Sequence, residues 1–377
     1  MPTIFTRGAA SARGFGLFGA AASALQGLWA WGNGASGQLG LGNITNYSSP
    51  KQVGALTDWK VVKAGNLDRS IAIKADGALW GWGLGQFGAI GLGNTTSYSS
   101  PKQVGALTNW AVVTLVGRSS LAVKTDGTLW AWGRSDQGQL GLGNLTTYSS
   151  PVQVGALTAW ATVTSGGSCS TFAIKTNGTL WAWGINTNGV LGLGNITNYS
   201  SPVQVGALTN WATVSTSNNR TFATKTDGTM WAWGYGFAGA LGLGNTTSYS
   251  SPKQIGALTG WSVVSSNSAG ASALKTNGTL WSWGSGVYGQ LGLGNLTNYS
   301  LPVQVGALTS WSILSCGNTS QFAIKTDGTL WTWGRNQSGQ LGLSNLTNYS
   351  SPKQVGALTT WVAVSSGGTS TRGLKTP

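Results

Sequence analysis

Six arginines interrupt the otherwise monotonous residues 27–377, at Arg69, Arg118, Arg134, Arg220, Arg335 and Arg372. A guanidinium offers a planar fork of donors that suits carboxylate and phosphate. In the same variable stretches lie Phe87, Tyr235, Phe237 and Tyr288, whose rings could stack on sugars or bases, and one acid, Asp136. That is the chemistry of recognition. The means of acid–base catalysis are missing, because the 377 residues include no His and no Glu. The seven acids, Asp58, Asp68, Asp76, Asp126, Asp136, Asp227 and Asp327, are scattered rather than paired. The usual general base and the usual zinc ligand are thereby removed. Cys169 and Cys316 have no His to activate them and fall at different repeat offsets, which excludes a disulfide scaffold. We expect a protein without catalytic residues, metal or cofactor.

The net charge is +14. Without His, nothing of ordinary pKa titrates between about pH 5 and 8, so this charge is constant there and favours polyanionic partners. Solubility of a nearly neutral chain is the alternative explanation. With 60 Gly, 21 Trp and only 7% charged residues, the composition is far from that of a disordered chain. No apolar run approaches the roughly 18 residues of a membrane helix.

The recognition residues sit on a repeat. The pattern "WxWG" begins at Trp29, Trp80, Trp130, Trp181, Trp231, Trp281 and Trp331, in steps of 51, 50, 51, 50, 50 and 50. A third Trp follows each time, from Trp59 to Trp361, and three per repeat account for all 21. "TLWAWG" and "FAIKT" are short aromatic and β-branched runs joined by Asp-Gly or Asn-Gly, a strong hairpin signal. "GQLGLGN" and "TNYSSP" read as turns, "PVQVGAL" as an outer strand and "WxxV" as another. Four short strands per unit, seven times over, predict an all-β, seven-bladed β-propeller. The last unit ends at "GLKTP" where a "TLWAWG" strand should follow, and that strand is found at Gly27. We therefore expect the N-terminal strand to pair with the C-terminal blade and close the ring, with residues 27–377 as the propeller and residues 1–26 as a separate segment.

The frame "WGxxxxGQLGLG…P…V…G…T…DG.LW.WG" resembles the regulator-of-chromosome-condensation repeat. "GQLGLG" at Gly37–Gly42, Gly138–Gly143 and Gly289–Gly294 carries the likeness most closely. The resemblance implies a seven-bladed propeller. It also implies a binding role, since the family includes a nucleotide-exchange factor that binds chromatin and a small GTPase, beside unrelated binding platforms. The His that commonly opens the "FAIK"-like strand in that family is absent here.

Comparison of the seven copies shows where they differ. The column after "WG" holds Asn33, Leu84, Arg134, Ile185, Tyr235, Ser285 and Arg335. A second variable column, before "FAIK", holds Asp68, Arg118, Cys169, Asn219, Ala269, Thr319 and Thr369. "FAIKT" runs toward the Asp-Gly turn and "TLWAWG" away from it, so both variable stretches belong on one rim, where loops on a rigid scaffold do their binding. Relaxed selection on solvated loops is the competing explanation. The lysines Lys74, Lys124, Lys175, Lys225, Lys275, Lys325 and Lys375 precede the turns of the other rim and read as solvated framework. Repeated Asn-x-Thr triplets such as Asn43-Ile-Thr45 fit glycan acceptors and turn chemistry equally well.

Residues 1–26 are Gly/Ala-rich, with Ile4, Phe5, Arg7, Arg13, Phe15 and Phe18 as the side chains able to anchor. The stretch Thr6 to Gly16 resembles the start of structural proteins from tailed bacteriophages, and a signal peptide ending at Ala24 is the alternative. Together these suggest a non-enzymatic phage virion protein present in multiple copies. Residues 1–26 would dock on neighbouring virion proteins while the propeller face meets a host-surface, anionic glycan. A purely structural decoration protein, a secreted glycan-binding module and an exchange-factor or chromatin-type propeller are the alternatives. Nucleic acid is the less favoured partner, and no membrane insertion is expected.

Overall fold

The computed structural model describes residues 26–65, 68–166 and 169–376. Its 28 strands form seven four-stranded antiparallel sheets. Blade one is β3 (Trp59–Ala64), β4 (Arg69–Lys74), β5 (Leu79–Gly83) and β6 (Tyr98–Gln103), ordered from the axis outward. Blades two to six repeat this from β7 (Trp110–Val116) to β10 (Tyr148–Gln153), β11 (Trp160–Ser165) to β14 (Tyr199–Gln204), β15 (Trp211–Ser217) to β18 (Tyr249–Gln254), β19 (Trp261–Asn267) to β22 (Tyr299–Gln304), and β23 (Trp311–Cys316) to β26 (Tyr349–Gln354).

Blade seven is composite. It joins β27 (Trp361–Ser366) and β28 (Ser370–Lys375) to β1 (Gly27–Gly32) and β2 (Tyr47–Gln52), with Gly27 opposite Lys375 and Gly32 opposite Ser370. The expected closure by the N-terminal strand is present. The proposed anchor, with Ile4, Phe5, Arg7, Arg13, Phe15 and Phe18, lies outside the described residues.

The outer strand differs from expectation. "YSSPVQ" is the strand, Tyr148–Gln153 in blade two, and the Val-Gly-Ala-Leu that follows is the turn back to the axis. Read locally, Ser-Ser-Pro signals a turn. On an edge strand, however, proline's missing N–H costs no ladder bond, and the pairing skips a register between Tyr148 and Val152 to admit it.

The core lies between blades. One cluster joins Leu121, Leu129 and Leu140 of blade two to Trp160, Val163 and Trp183 of blade three. Within blade three, Trp160 meets Trp181 and Trp183 edge-on, with centroids 5.9 and 6.3 Å apart. "GQLGLG" makes the clasp between blades. Trp183 Nε1 donates to the Gln139 carbonyl of the preceding blade at 3.1 Å, and the Thr171 hydroxyl donates to the same oxygen at 3.0 Å. Gly141 lies under that indole at φ +76°, and a Cβ there would come within 2.7 Å of Trp183 Nε1. The invariance of this glycine among the repeats is thus a packing requirement.

The hairpin lysines are not simply solvated. Lys124 is 7% exposed, with its ammonium 3.7 Å from the Trp130 ring and 4.9 Å from Trp110. Lys225 and Lys325 repeat the arrangement over Trp231 and Trp331. Cation–π attraction and burial of the aliphatic stem hold them on the tryptophan pairs. The Asn-x-Thr triplets are turn devices: Asn43 Oδ1 accepts the Thr45 N–H and its Nδ2 donates to Tyr47 Oη.

The hairpin acids make a pH prediction. Hydrogen bonds from the Thr128 hydroxyl and backbone N–H hold the Asp126 carboxyl below the usual range, and Thr229 and Thr329 do the same for Asp227 and Asp327. A carboxylate with a lowered folded-state pKa stabilises above its unfolded value and loses that contribution as acid titrates the folded form. Asp68, raised by burial, acts in the opposite sense and is outnumbered. Melting temperature should be flat from about pH 5 to 7 and fall below about pH 4. A decline between pH 5 and 7 in a calorimetric pH series would contradict this.

Candidate functional site

Both variable stretches do share a face. Within each blade they are hydrogen-bonded side by side, as in Leu84 N to Asp68 O at 2.8 Å, Arg134 N to Arg118 O at 3.1 Å and Arg335 N to Thr319 O at 2.9 Å. The opposite face carries the Asp-Gly and Gly-Ala-Leu turns, also tied together, as in Thr125 N to Asn109 O at 2.9 Å.

Three of the six arginines are not on a contact surface. Arg372 is fully buried, with Nε donating to Ser70 Oγ at 2.8 Å, one terminal nitrogen to Thr371 O at 3.0 Å and the other to Gln38 O. Burial pushes its pKa down to about 9, with Asp68 acting against the shift. It occupies the column that holds Ile71, Leu121, Phe172, Phe222 and Phe322 in other blades, and through Ser70 it joins blade seven to blade one. Arg69, 1% exposed, donates to Ser119 O of blade two at 2.7 Å, and burial pushes it likewise to about 9. Arg220, 6% exposed, donates to Tyr235 O and Ser268 O, both at 2.8 Å. Arg69 and Arg220 reach a backbone carbonyl of the next blade and Arg372 a hydroxyl of it, while Arg69 Nε has no protein partner.

The remaining residues gather in two places. Where blades one and two meet, the guanidinium carbons of Arg118 and Arg134 each lie 5.3 Å from the Phe87 centroid. Arg134 pairs with the exposed Asp136 at 2.5 Å. Partial burial works against the Asp136 carboxylate, but hydrogen bonds from Arg134 and Gln139 outweigh it and hold the pKa low. Phe87 sits at φ +62°, a conformation that costs a bulky residue about 1–2 kcal/mol. Asn188 and Ala238 occupy the same column at φ +59°, whereas Ser36, Gln137, Tyr288 and Ser338 in that column take no positive φ. An aromatic held there is the kind of outlier that collects at functional sites. Beside Phe87 opens a cleft of about 710 Å³, with Leu84, Gln86, Thr95, Ser97, Thr147 and Ser149 on its walls.

The second place spans blades four to six. Tyr235 stacks on Phe237 with centroids 5.9 Å apart and planes 12° from parallel, and Phe237 is 64% exposed. The Arg220 guanidinium lies 5.3 Å from the Tyr235 ring, bracing it from within. Arg335 lies 5.2 Å from the Tyr288 ring and is held by Gln337 Oε1, which accepts from its Nε at 2.8 Å. Replacing Phe87 by glycine should relieve about 1 kcal/mol of backbone strain while removing the ring. Urea unfolding of F87G would detect the gain, and a loss of stability would contradict the strain.

Neither thiol is poised for nucleophilic chemistry. Burial pushes the Cys316 thiol up to about 12, outweighing the bonds to Ser265 and Gln321, and burial raises Cys169 as well. Among the described residues no group of three or more His, Cys, Asp or Glu could hold a metal. No helix among them is long and apolar enough to cross a membrane.

Comparison with known proteins gives the same picture of the fold. A family model for the regulator of chromosome condensation (RCC1) repeat matches residues 27–66, 76–122, 126–173, 177–224, 227–272, 277–324 and 327–372. The ultraviolet-B receptor UVR8 of Arabidopsis thaliana is 30% identical over 180 residues, or 46% of this chain and 41% of that protein. The probable E3 ubiquitin-protein ligase HERC6 of Homo sapiens is 30% identical over 196 residues, or 50% of this chain and 14% of that protein. Each match covers less than half the relative's length. Among solved structures, human WBSCR16 superposes with a TM-score of 0.82 at 19% identity, covering 93% of this chain and 98% of the other. Prp20p of Saccharomyces cerevisiae, described with its binding to Gsp1p and histones, gives 0.80 at 19% identity, covering 93% and 91%.

Proposed function

We propose, from the premise that this chain belongs to the regulator of chromosome condensation (RCC1) repeat family, that it is a non-enzymatic binding propeller whose loop face recognises an anionic surface glycan. The observation that carries this reading is the pairing of partly exposed arginines with aromatic rings on that one face, Arg118 and Arg134 at Phe87 and Arg335 at Tyr288. A ring stacks on the apolar face of a sugar, and a guanidinium at its edge takes a carboxylate, sulfate or phosphate in two parallel hydrogen bonds. The constant positive charge steers such a ligand toward the protein.

The test is a panel of immobilised acidic and neutral polysaccharides, probed with the natural sequence and with Arg134→Ala/Arg335→Ala. Acidic ligands should be retained by the first, and the double variant should bind at least about tenfold more weakly with unchanged melting. Equal retention of both proteins, or of acidic and neutral ligands, would remove the proposal. The sequence suggests a phage virion as the setting, with residues 1–26 as the anchor. Co-sedimentation of the chain with DNA-filled particles is the expected result, and recovery only as a small soluble species would oppose it.

A second reading follows from Prp20p, whose described partners are Gsp1p and histones. In that reading the face binds a small GTPase. Stimulated nucleotide release from a GTPase would favour it over the glycan.

A further inference from the structure

The exposed charges of the loop face are confined to one side of it. Asp68, Arg118, Arg134, Asp136 and Arg335, each at least partly exposed, belong to blades one, two and six. The loop segments of blades three to five, 166–170, 185–198, 217–220, 235–248, 267–270 and 285–298, contain one charged residue, Arg220. Its guanidinium is buried and committed to the Tyr235 and Ser268 carbonyls. The most exposed aromatic ring of the face, Phe237, nevertheless stands on this uncharged side, stacked beside Tyr235. The arginine contacts that carry the acidic-glycan reading involve neither ring.

The loop that carries the two rings is flanked by hydroxyls. Gly236, between Tyr235 and Phe237, lies so close to the 246–247 backbone that a Cβ would have no room against the Thr247 carbonyl, and Gly239 lies as closely against Ser300 of blade five. After the loop asparagine comes Thr246, where five other blades expose Ile44, Leu145, Ile196, Leu296 or Leu346. The one other blade with Asn-Thr-Thr-Ser here is blade one, which also has the one other loop phenylalanine, Phe87, and whose cleft is walled by Thr95 and Ser97. Phenylalanine and a hydroxyl rim thus occur together twice on this face. An apolar partner would be met better by the Ile or Leu of the other blades, whereas hydroxyls beside a bare ring suit a ligand that is itself rich in hydroxyls. Nucleic-acid bases also stack on such rings, but a cationic groove must then track their backbone, and this side of the disc has none.

We propose that the Tyr235–Phe237 platform is a second subsite, which takes an uncharged sugar ring. The apolar C–H face of the sugar lies on the exposed Phe237 ring, and Tyr235 is braced by the Arg220 guanidinium 5.3 Å from its centroid. The Tyr235 phenol and the Thr246 hydroxyl both donate and accept, as sugar hydroxyls require. The inference rests on the glycan reading for its class of ligand and adds to it: a chain that fills both sides of the face carries neutral as well as acidic sugars.

Saturation-transfer NMR titrations with neutral trisaccharides of glucose, mannose, galactose and N-acetylglucosamine, and with oligothymidylate, test it. At least one trisaccharide is expected to bind saturably with affinity on the order of millimolar. That binding should persist in about 1 M sodium chloride, where charges are screened beyond about 3 Å. Phe237→Ala removes a side chain that is mostly in solvent and should leave the melting temperature unchanged. It and Tyr235→Ala should each weaken trisaccharide binding at least about tenfold, while Arg134→Ala/Arg335→Ala leaves it intact. No saturation by any trisaccharide, an equal loss in the arginine double variant, or a preference for oligothymidylate that Phe237→Ala abolishes would each overturn the proposal. If trisaccharides fail while acidic polysaccharides are still retained, the second subsite falls and the acidic-glycan reading stands; if both fail, the glycan reading falls with it.

Discussion

Trp183→Ala is expected to destabilise the ring by about 3–5 kcal/mol, as large core truncations do. Its side chain is fully buried, packs edge-on against Trp160 and donates across the blade boundary to Gln139 O. Truncation leaves a cavity beneath Gly141 that the backbone cannot fill, since the glycine is already fixed at φ +76°. Typical domain stability is only about 5–15 kcal/mol, so a large share of it is at stake. Phenylalanine at two positions separates packing from hydrogen bonding. Trp183→Phe loses the indole bond as well as volume, whereas Trp283, equally buried, has an Nε1 without a protein partner. Trp183→Phe should therefore cost about 1 kcal/mol more than Trp283→Phe in urea unfolding. Equal costs would mean that the clasp to Gln139 contributes nothing net.

Removing strand β1 should have a larger effect, the loss of the closed ring. Its Leu28, Ala30 and Trp31 are fully buried, and it pairs with β28 on one side and β2 on the other. Deletion of residues 1–32 exposes the edge of β28, strands β2 and leaves the Trp361 ring, now 5.7 Å from Trp31, without that neighbour. Each lost apolar side chain forfeits roughly 1.5–3 kcal/mol, and the open edge is a template for association. The truncated chain is expected to aggregate, and a peptide spanning residues 26–52 is expected to rescue it in gel filtration. A monomeric truncated chain with the melting temperature of the full one would refute closure by this strand.

Such effects were legible in the sequence because the repeat is so regular. Steps of 50 and 51 between tryptophans, a hairpin signal in each unit and a missing final strand found at Gly27 give seven blades and their closure by counting. The outer strand was obscured because Ser-Ser-Pro is a turn signal unless the segment is known to lie on a sheet edge. The site was half legible. Arg118, Arg134 and Arg335 stand in the loop columns, yet Arg69, Arg220 and Arg372 begin or enter strand β4 and its equivalents, and burial separates the two groups. A signal did exist for Arg372, whose column is otherwise mostly aliphatic or aromatic. Residue type suggested one ring of six arginines. Strand register divides them into three that staple blades and three that face solvent.

The loop face as the binding surface is the central claim, and a hydrogen-exchange footprint with a bound acidic polysaccharide tests it most directly. Protection is predicted in the loops of residues 84–97 and 134–147 and around Tyr288 and Arg335, with none in the Asp-Gly and Gly-Ala-Leu turns. Protection confined to those opposite turns would contradict the account and assign binding to the other side of the disc.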